Sequence, residues 1–148
     1  MIVAFTGHRP DKIDARINQV SDAIQKFLEE NKPKHVVIGM ADGVDLLAGA
    51  WARRLAIPYT AAIPFRDHVP SYDSVRSGHY HQILKDASKI EFICEGPYAV
   101  WKYQKRNEWM VDHSDLLAAV WDNSPGGTAN CINYAKQVGK DIRYLEWL

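Results

Sequence analysis

With 148 residues, 47% of them hydrophobic, the chain is long enough for one domain with a real core, too short for two ordinary domains and too apolar for a disordered segment. Eighteen basic side chains cancel eighteen acidic ones, so no general electrostatic pull toward nucleic acid is expected. Cys94 and Cys131 lie far apart and lack the spacing of a zinc site or a disulfide framework; no metal or other cofactor is expected, and a reducing cytoplasm fits.

In chain order, residues 2–5 form a short, wholly apolar run that predicts a buried parallel strand. Gly7-His8-Arg9-Pro10 follows at once, so the apolar run is too short for a signal peptide, and no later run approaches membrane-spanning length. Asp11 reads as a helix N-cap with Asp14 three residues on, and Ile13, Ile17, Val20, Ile24 and Phe27 then repeat at helical spacing until Asn31-Lys32-Pro33. Residues 35–38 predict a second strand. Asp42 reads as the cap of a second helix carrying Val44, Leu47, Ala48, Trp51 and Leu55 on one face. A third strand is expected over 59–63, a polar irregular stretch over 66–72 and a helix over 75–86. A fourth strand over 89–93, a loop over 95–100 and a helix over 101–112 follow; then come a strand over 116–121, a helix over 128–138 and a last strand over 142–145.

Strands that alternate with helices and are apolar on both faces predict a single Rossmann-like α/β domain over 1–148, three-layered, with a mostly parallel sheet. In such sheets ligands bind at the carboxyl ends of the strands. Four loops fall at those ends: Gly7-His8-Arg9, the segment from Gly39 through Met40, Asp42 and Gly43 to Asp45, Pro64-Phe65, and Pro125-Gly126-Gly127-Thr128. Two of them are glycine-centred and open a helix, where free N–H groups and a partial positive charge receive phosphate. Glycine permits φ > 0 and admits a ligand that a Cβ would block.

These residues carry a resemblance. Phe5-Thr6-Gly7-His8-Arg9, with the loop from Gly39 to Asp45 and Ala48 and Ala52 beyond it, resembles the first half of the SMF/DprA–LOG (SLOG) superfamily. Arg106-Asn107, Met110-Val111-Asp112, Ser114-Asp115 and Gly126-Gly127-Thr128 resemble its second half. The likeness spans nearly the whole chain and is nearest to the small YpsA-like branch, which includes phage-encoded relatives. It implies a Rossmann-like fold that binds a nucleotide or nucleotide-derived ligand. Members differ in activity: Lonely-Guy-type enzymes cleave the N-glycosidic bond of nucleoside monophosphates, and DprA-type proteins bind single-stranded DNA. The Lonely Guy motif reads Pro-Gly-Gly-x-Gly-Thr-x-x-Glu; matching its Gly-Thr to Gly127-Thr128 puts Cys131 where its catalytic glutamate stands, in a loop two residues shorter. Its catalytic arginine corresponds to Arg106.

The expected ligand contacts are therefore Gly7, His8 and Arg9; Gly39, Met40, Asp42, Gly43 and Asp45; Arg106 and Asn107; Asp122; and Gly126, Gly127 and Thr128. Arg9 suits bidentate phosphate contact, Asp45 and Asp122 suit ribose hydroxyls, and Asp115 is expected to hold Arg106 or the first-half loop. As an enzyme the chain would use Arg106, Asp45 and Asp115 to stabilise an oxocarbenium-like transition state or activate water. Trp101, Tyr103 and Trp109 read as core or interface side chains able also to stack a base, and Tyr72, His79, Tyr80 and His81 as a lid. Cys131 reads as buried. The leading expectation is a cytoplasmic nucleotide-binding protein that forms a homo-oligomer through tryptophans such as Trp101 or Trp147. The alternatives are an N-glycosidase and, behind it, single-stranded DNA binding; no membrane contact is expected.

Overall fold

The computed structural model describes residues 1–68 and 74–148. Its strands are β1 (Ile2–Gly7), β2 (His35–Ile38), β3 (Tyr59–Phe65), β4 (Lys89–Cys94), β5 (Leu116–Val120) and β6 (Asp141–Tyr144). They form one six-stranded sheet in the order β4-β3-β2-β1-β5-β6, every neighbouring pair parallel. The chain steps outward from β1 to β4, then returns to the far side of β1 for β5 and β6. Between β1 and β5 the direction of winding reverses, and a crevice opens there at the carboxyl ends of the strands. Phe5 lies opposite Ala118, Thr6 opposite Ala119 and Gly7 opposite Val120, so the two glycine-rich ends meet at that crevice.

The period of two along the strands divides the core. Val3, Phe5, Leu116, Ala118 and Val120 face one side, with α2 (Ile17–Asn31), α3 (Val44–Arg54) and α4 (Ser74–Asp86) packed over it. Ala4, Leu117 and Ala119 face the other side, under α5 (Trp101–Asp112) and α6 (Gly127–Gln137). Over the inner strands β1, β2, β3 and β5 both faces are covered, which is why they are almost continuously apolar, whereas the edge strands β4 and β6 remain largely exposed. Ile24 and Leu117 are fully buried, each gaining about 1.5–3 kcal/mol from leaving water.

The predicted first helix is broken. A short α1 (Pro10–Ile13) begins after Arg9, with Asp11 in its first turn instead of at the cap, and a single 3-10 turn over Asp14–Arg16 leads into α2. At the far end of α2, Lys32 takes a φ of 45° and its N–H closes on the Leu28 carbonyl at 2.9 Å, so the helix stops just before Pro33. Of the segment expected to form a lid, Tyr72 lies outside the described residues, His79 and His81 are exposed on α4, and Tyr80 is buried. Among the described residues no helix is long and apolar enough to cross a membrane. Trp101 is exposed as expected, whereas Trp147 is buried against Trp121 and His8, which removes it from any outer surface.

Candidate functional site

A cleft of about 290 Å³ occupies the β1–β5 crevice. Thr6, Gly7, His8 and Arg9 come to it from the end of β1, Lys12 from α1, Ala41 and Asp45 from the loop and first turn around α3, and Pro125 to Thr128 from the loop and first turn of α6. Helix α5 supplies Tyr103, Arg106, Asn107 and Met110. Those four stand at i, i+3, i+4 and i+7, one continuous helical face.

The two glycine loops differ in what they leave free. The α6 loop is open. Gly126 caps the helix with a φ of 138° and no side-chain hydrogen bond, and the first intrahelical bond runs from Asn130 N–H to the Gly126 carbonyl at 3.0 Å. Among the described residues, the N–H groups of Gly127, Thr128 and Ala129 have no side-chain cap. They lie in the first turn of an eleven-residue helix whose dipole adds partial positive charge. Thr128 is 8% exposed, lines the cleft, and its hydroxyl has no hydrogen-bond partner among the described residues. A Cβ on Gly126 or Gly127 would meet no atom within 4 Å, so packing does not demand these glycines; backbone conformation demands the first of them.

The α3 loop is closed on itself. Its helix cap is Gly43, not Asp42 as the sequence suggested; the Asp42 carboxylate accepts the neighbouring Gly43 N–H at 2.8 Å. Val44 N–H donates to the His8 carbonyl at 3.2 Å, and Ala41 N–H to the Asp45 carboxylate at 3.2 Å. Three of the amides expected to receive phosphate, those of Ala41, Gly43 and Val44, are thus spent inside the protein. A Cβ on Gly43, at φ 95°, would stand 2.4 Å from the His8 carbonyl, so this glycine serves the approach of two loops. Gly39, Met40, Asp42 and Gly43 do not line the cleft: Met40 is fully buried, and the Gly39 carbonyl accepts a hydrogen bond from Arg106 Nη1.

Arg106 and Asp45 form the floor. Both are nearly buried, at 5% and 7% exposure. Besides its bond to Gly39, Arg106 donates through Nε to Asn107 Oδ1 at 3.1 Å, which leaves Nη2 without an acceptor among the described residues. Burial pushes the Asp45 carboxyl above its ordinary range, against the opposing pull of Arg106, the Ala41 amide and Arg9. Burial also lowers the Arg106 pKa, with Asp45 as the chief opposing influence. Beneath them Cys131 is 1% exposed and its thiol is pushed up to about 11 by burial, so it is a poor nucleophile at neutral pH. Arg9 stands exposed at the mouth; its carbonyl accepts the Lys12 N–H at 3.1 Å, and its guanidinium has no hydrogen bond or ion pair among the described residues. Lys12 reaches Ser124 Oγ from the same side.

His8 braces the crevice. Its Nε2 lies 2.9 Å from both the Asp122 N–H and the Asp122 carboxylate. Both contacts cannot hold at once, since one needs a lone pair and the other a proton. Burial outweighs Asp122 and lowers the His8 pKa, so the ring is neutral at pH 7, and its tautomer sets which of the two Asp122 contacts Nε2 makes. Asp122 does not line the cleft; its carboxylate accepts the Ser124 N–H at 2.9 Å and the Ser124 hydroxyl, and this holds its pKa down to about 2. It shapes the turn leading to Pro125 instead of facing a ribose.

Asp115 needs a larger correction. It stands at the amino end of β5, where its carboxylate accepts the Ile2 N–H at 2.7 Å and its own N–H donates to the Ile2 carbonyl. All strands being parallel, that is the rim opposite the cleft, so Asp115 neither holds Arg106 nor serves as a catalytic acid. Thr6, Lys12, Met110 and Pro125 line the cleft without having been singled out as ligand contacts, and so does Tyr103, read as a core or interface side chain able also to stack a base. The helical spacing from Arg106 back to Tyr103 and on to Met110 was the signal available for two of them.

Comparison with known proteins agrees with this architecture. The profile of the YspA SLOG family (YpsA) matches residues 3–146. The SPbeta prophage-derived protein YoqJ of Bacillus subtilis (strain 168) is 30% identical over 131 residues, covering 77% of this chain and 76% of YoqJ. Among solved structures, DNA processing protein A (DprA) from Streptococcus pneumoniae superposes with a TM-score of 0.71 at 18% identity. That match covers 96% of this chain but 49% of DprA, so the chain spans about half of that protein. The molybdenum cofactor carrier protein of Chlamydomonas reinhardtii superposes with a TM-score of 0.64 at 14% identity, covering 97% and 74%. At these identities the structural matches speak to the shared fold.

Proposed function

The chain belongs to the YpsA SLOG family, and from that premise we propose that it binds a nucleotide or nucleotide-derived small molecule in the β1–β5 cleft. The observation that carries this reading is the uncapped first turn of α6, which leaves three backbone N–H groups and a Thr128 hydroxyl without partners among the described residues beside the cleft. Such an array binds phosphate without a metal. Arg9 at the mouth supplies an exposed cation that can add a bidentate contact. Asp45 and Arg106 Nη2, which has no acceptor among the described residues, are the groups suited to sugar hydroxyls or a ring edge. Similarity to a protein that carries a small cofactor supports a carrier or capture role. The protein would act in the cytoplasm, as a homo-oligomer assembled through the exposed Trp101. Titration calorimetry with nucleoside 5′-monophosphates and ribose 5-phosphate tests the site, and light scattering tests the assembly. No heat change with any of these ligands would reject the site reading.

A second reading, hydrolysis of a nucleotide N-glycosidic bond, is favoured by one observation. Asp45 is a buried carboxyl with a raised pKa beside a buried arginine, the setting of a general acid. Incubation with nucleoside monophosphates and chromatography of the products decides it: release of free base, abolished in Asp45→Asn, supports catalysis. DNA binding in the manner of DprA has less support, since the balanced charge offers no general attraction for a polyanion.

A further inference from the structure

Beside the cleft, at the carboxyl ends of β3 and β4, four aromatic side chains converge from four different segments. Phe65 ends β3, His68 follows it, Tyr98 sits in the loop after β4, and Tyr103 is on the first turn of α5. They meet edge to face. Phe65 is 5.5 Å from His68, 5.7 Å from Tyr98 and 5.9 Å from Tyr103 between ring centroids. His68 and Tyr98 lie 6.1 and 6.2 Å from Tyr103. Tyr103 belongs to both places, since it also lines the cleft and its ring centroid lies 5.8 Å from the Arg106 guanidinium.

Ordinary core packing explains Phe65, which is 4% exposed, but not Tyr98, which is 61% exposed. The loop that carries Tyr98 is nevertheless held firmly. Lys102 is 4% exposed, and its ammonium donates to the carbonyls of Glu95 and Pro97, on either side of Gly96 at φ 78°. Burying an ammonium is costly unless its donors are satisfied, and here they are used to fix the turn just before Tyr98. A tyrosine presented to solvent from a pinned loop is preorganised for stacking. His68 adds a polar edge: burial, then Arg106 and Arg9, bring its pKa down to about 4, so it is a neutral imidazole at pH 7.

Building on the anion site proposed above, we infer that Tyr98, Tyr103 and His68 form the recognition end of the same site. It takes the planar heteroaromatic ring of a nucleotide whose phosphate rests on α6. Aromatic faces accept any nucleobase, so this end supplies affinity for a base as a class, and His68 reads its edge.

The test compares ligands that share a phosphate and sugar but differ in the base. Calorimetry with AMP, GMP, CMP and UMP is set against ribose 5-phosphate, in wild type, Tyr98→Ala and Tyr103→Leu. Tyr98 is exposed, so its variant is expected to fold; a thermal melt checks both. The wild type should bind at least one nucleotide about 5- to 150-fold more tightly than ribose 5-phosphate, the range carried by stacking one base on an aromatic ring. Tyr98→Ala should remove most of that gap and leave ribose 5-phosphate affinity within about twofold. Equal wild-type affinity for nucleotide and sugar phosphate, or an undiminished gap in Tyr98→Ala, overturns the base-recognition inference while leaving the anion site intact. Binding of neither ligand overturns both. A gap seen only with a dinucleotide or longer DNA strand also overturns it, in favour of a strand-binding surface.

Discussion

Adjacent glycines at the start of α6 make a sharp prediction, because the fold needs one and the proposed ligand the other. Gly126 has φ 138° and ψ −161°, a region that residues with a Cβ rarely enter, so Gly126→Ala should cost about 1–3 kcal/mol. For a domain of this size that is a melting point lower by about 3–9 °C. Gly127 has no positive φ, and its Cβ would meet no atom within 4 Å. Gly127→Ala should therefore be neutral or stabilising by up to about 1 kcal/mol, the gain of alanine over glycine in a helix. For the ligand the expectation reverses. Gly127 lines the cleft, and a methyl there competes with a phosphate lying against the amides, so ribose 5-phosphate affinity should fall roughly 10-fold, or about 1.4 kcal/mol. Thermal denaturation and calorimetry on the same samples read both effects. A Gly127→Ala protein as unstable as Gly126→Ala would refute the open-space argument, and one with wild-type affinity would refute the placement of the phosphate.

Three further outcomes follow from the same geometry. Asp122→Asn should be less stable than wild type at neutral pH: its folded pKa is depressed to about 2, so the stability it confers is complete above the ordinary value of 3.8 and lost as pH falls through about 2, where the variant and wild type should converge in denaturant titrations. Alkylation of the native protein at pH 8 should modify half-exposed Cys94 and spare Cys131, which should react only after unfolding; rapid loss of both thiols, read by mass spectrometry, would contradict the burial of Cys131. Asp115→Ala should cost about 1 kcal/mol through its lost bond to Ile2 yet leave ligand affinity unchanged, and a loss of binding would return Asp115 to the site.

The sheet was legible because strands buried on both faces leave short apolar runs between helical repeats, and Val3 to Phe5 or Leu116 to Val120 satisfy that pattern without help from distant residues. What escaped were features decided by long-range partners. The α3 loop looks like a phosphate loop until the His8 carbonyl and the Asp45 carboxylate take its amides, and neither contact has a local signal. Asp115 is different: a residue preceding a parallel strand belongs to the amino-end rim, and position along the strand should have outweighed its closeness in sequence to Arg106 and Ser114. The break over Asp14–Arg16 passed unseen because Ile13, Ile17 and Val20 keep their spacing of four and three across one 3-10 turn. Tyr103 carried a usable signal, three residues before Arg106 on the same helical face.

Amide chemical shifts of the nitrogen-15-labelled protein, followed as ribose 5-phosphate is added, bear most directly on the proposed anion site. The account predicts large, saturable shifts at Gly127, Thr128 and Ala129, with Gly43 and Val44 almost unmoved because their N–H groups are already bonded within the protein. Shifts centred on Gly43 and Val44, or none at the first turn of α6, would contradict it.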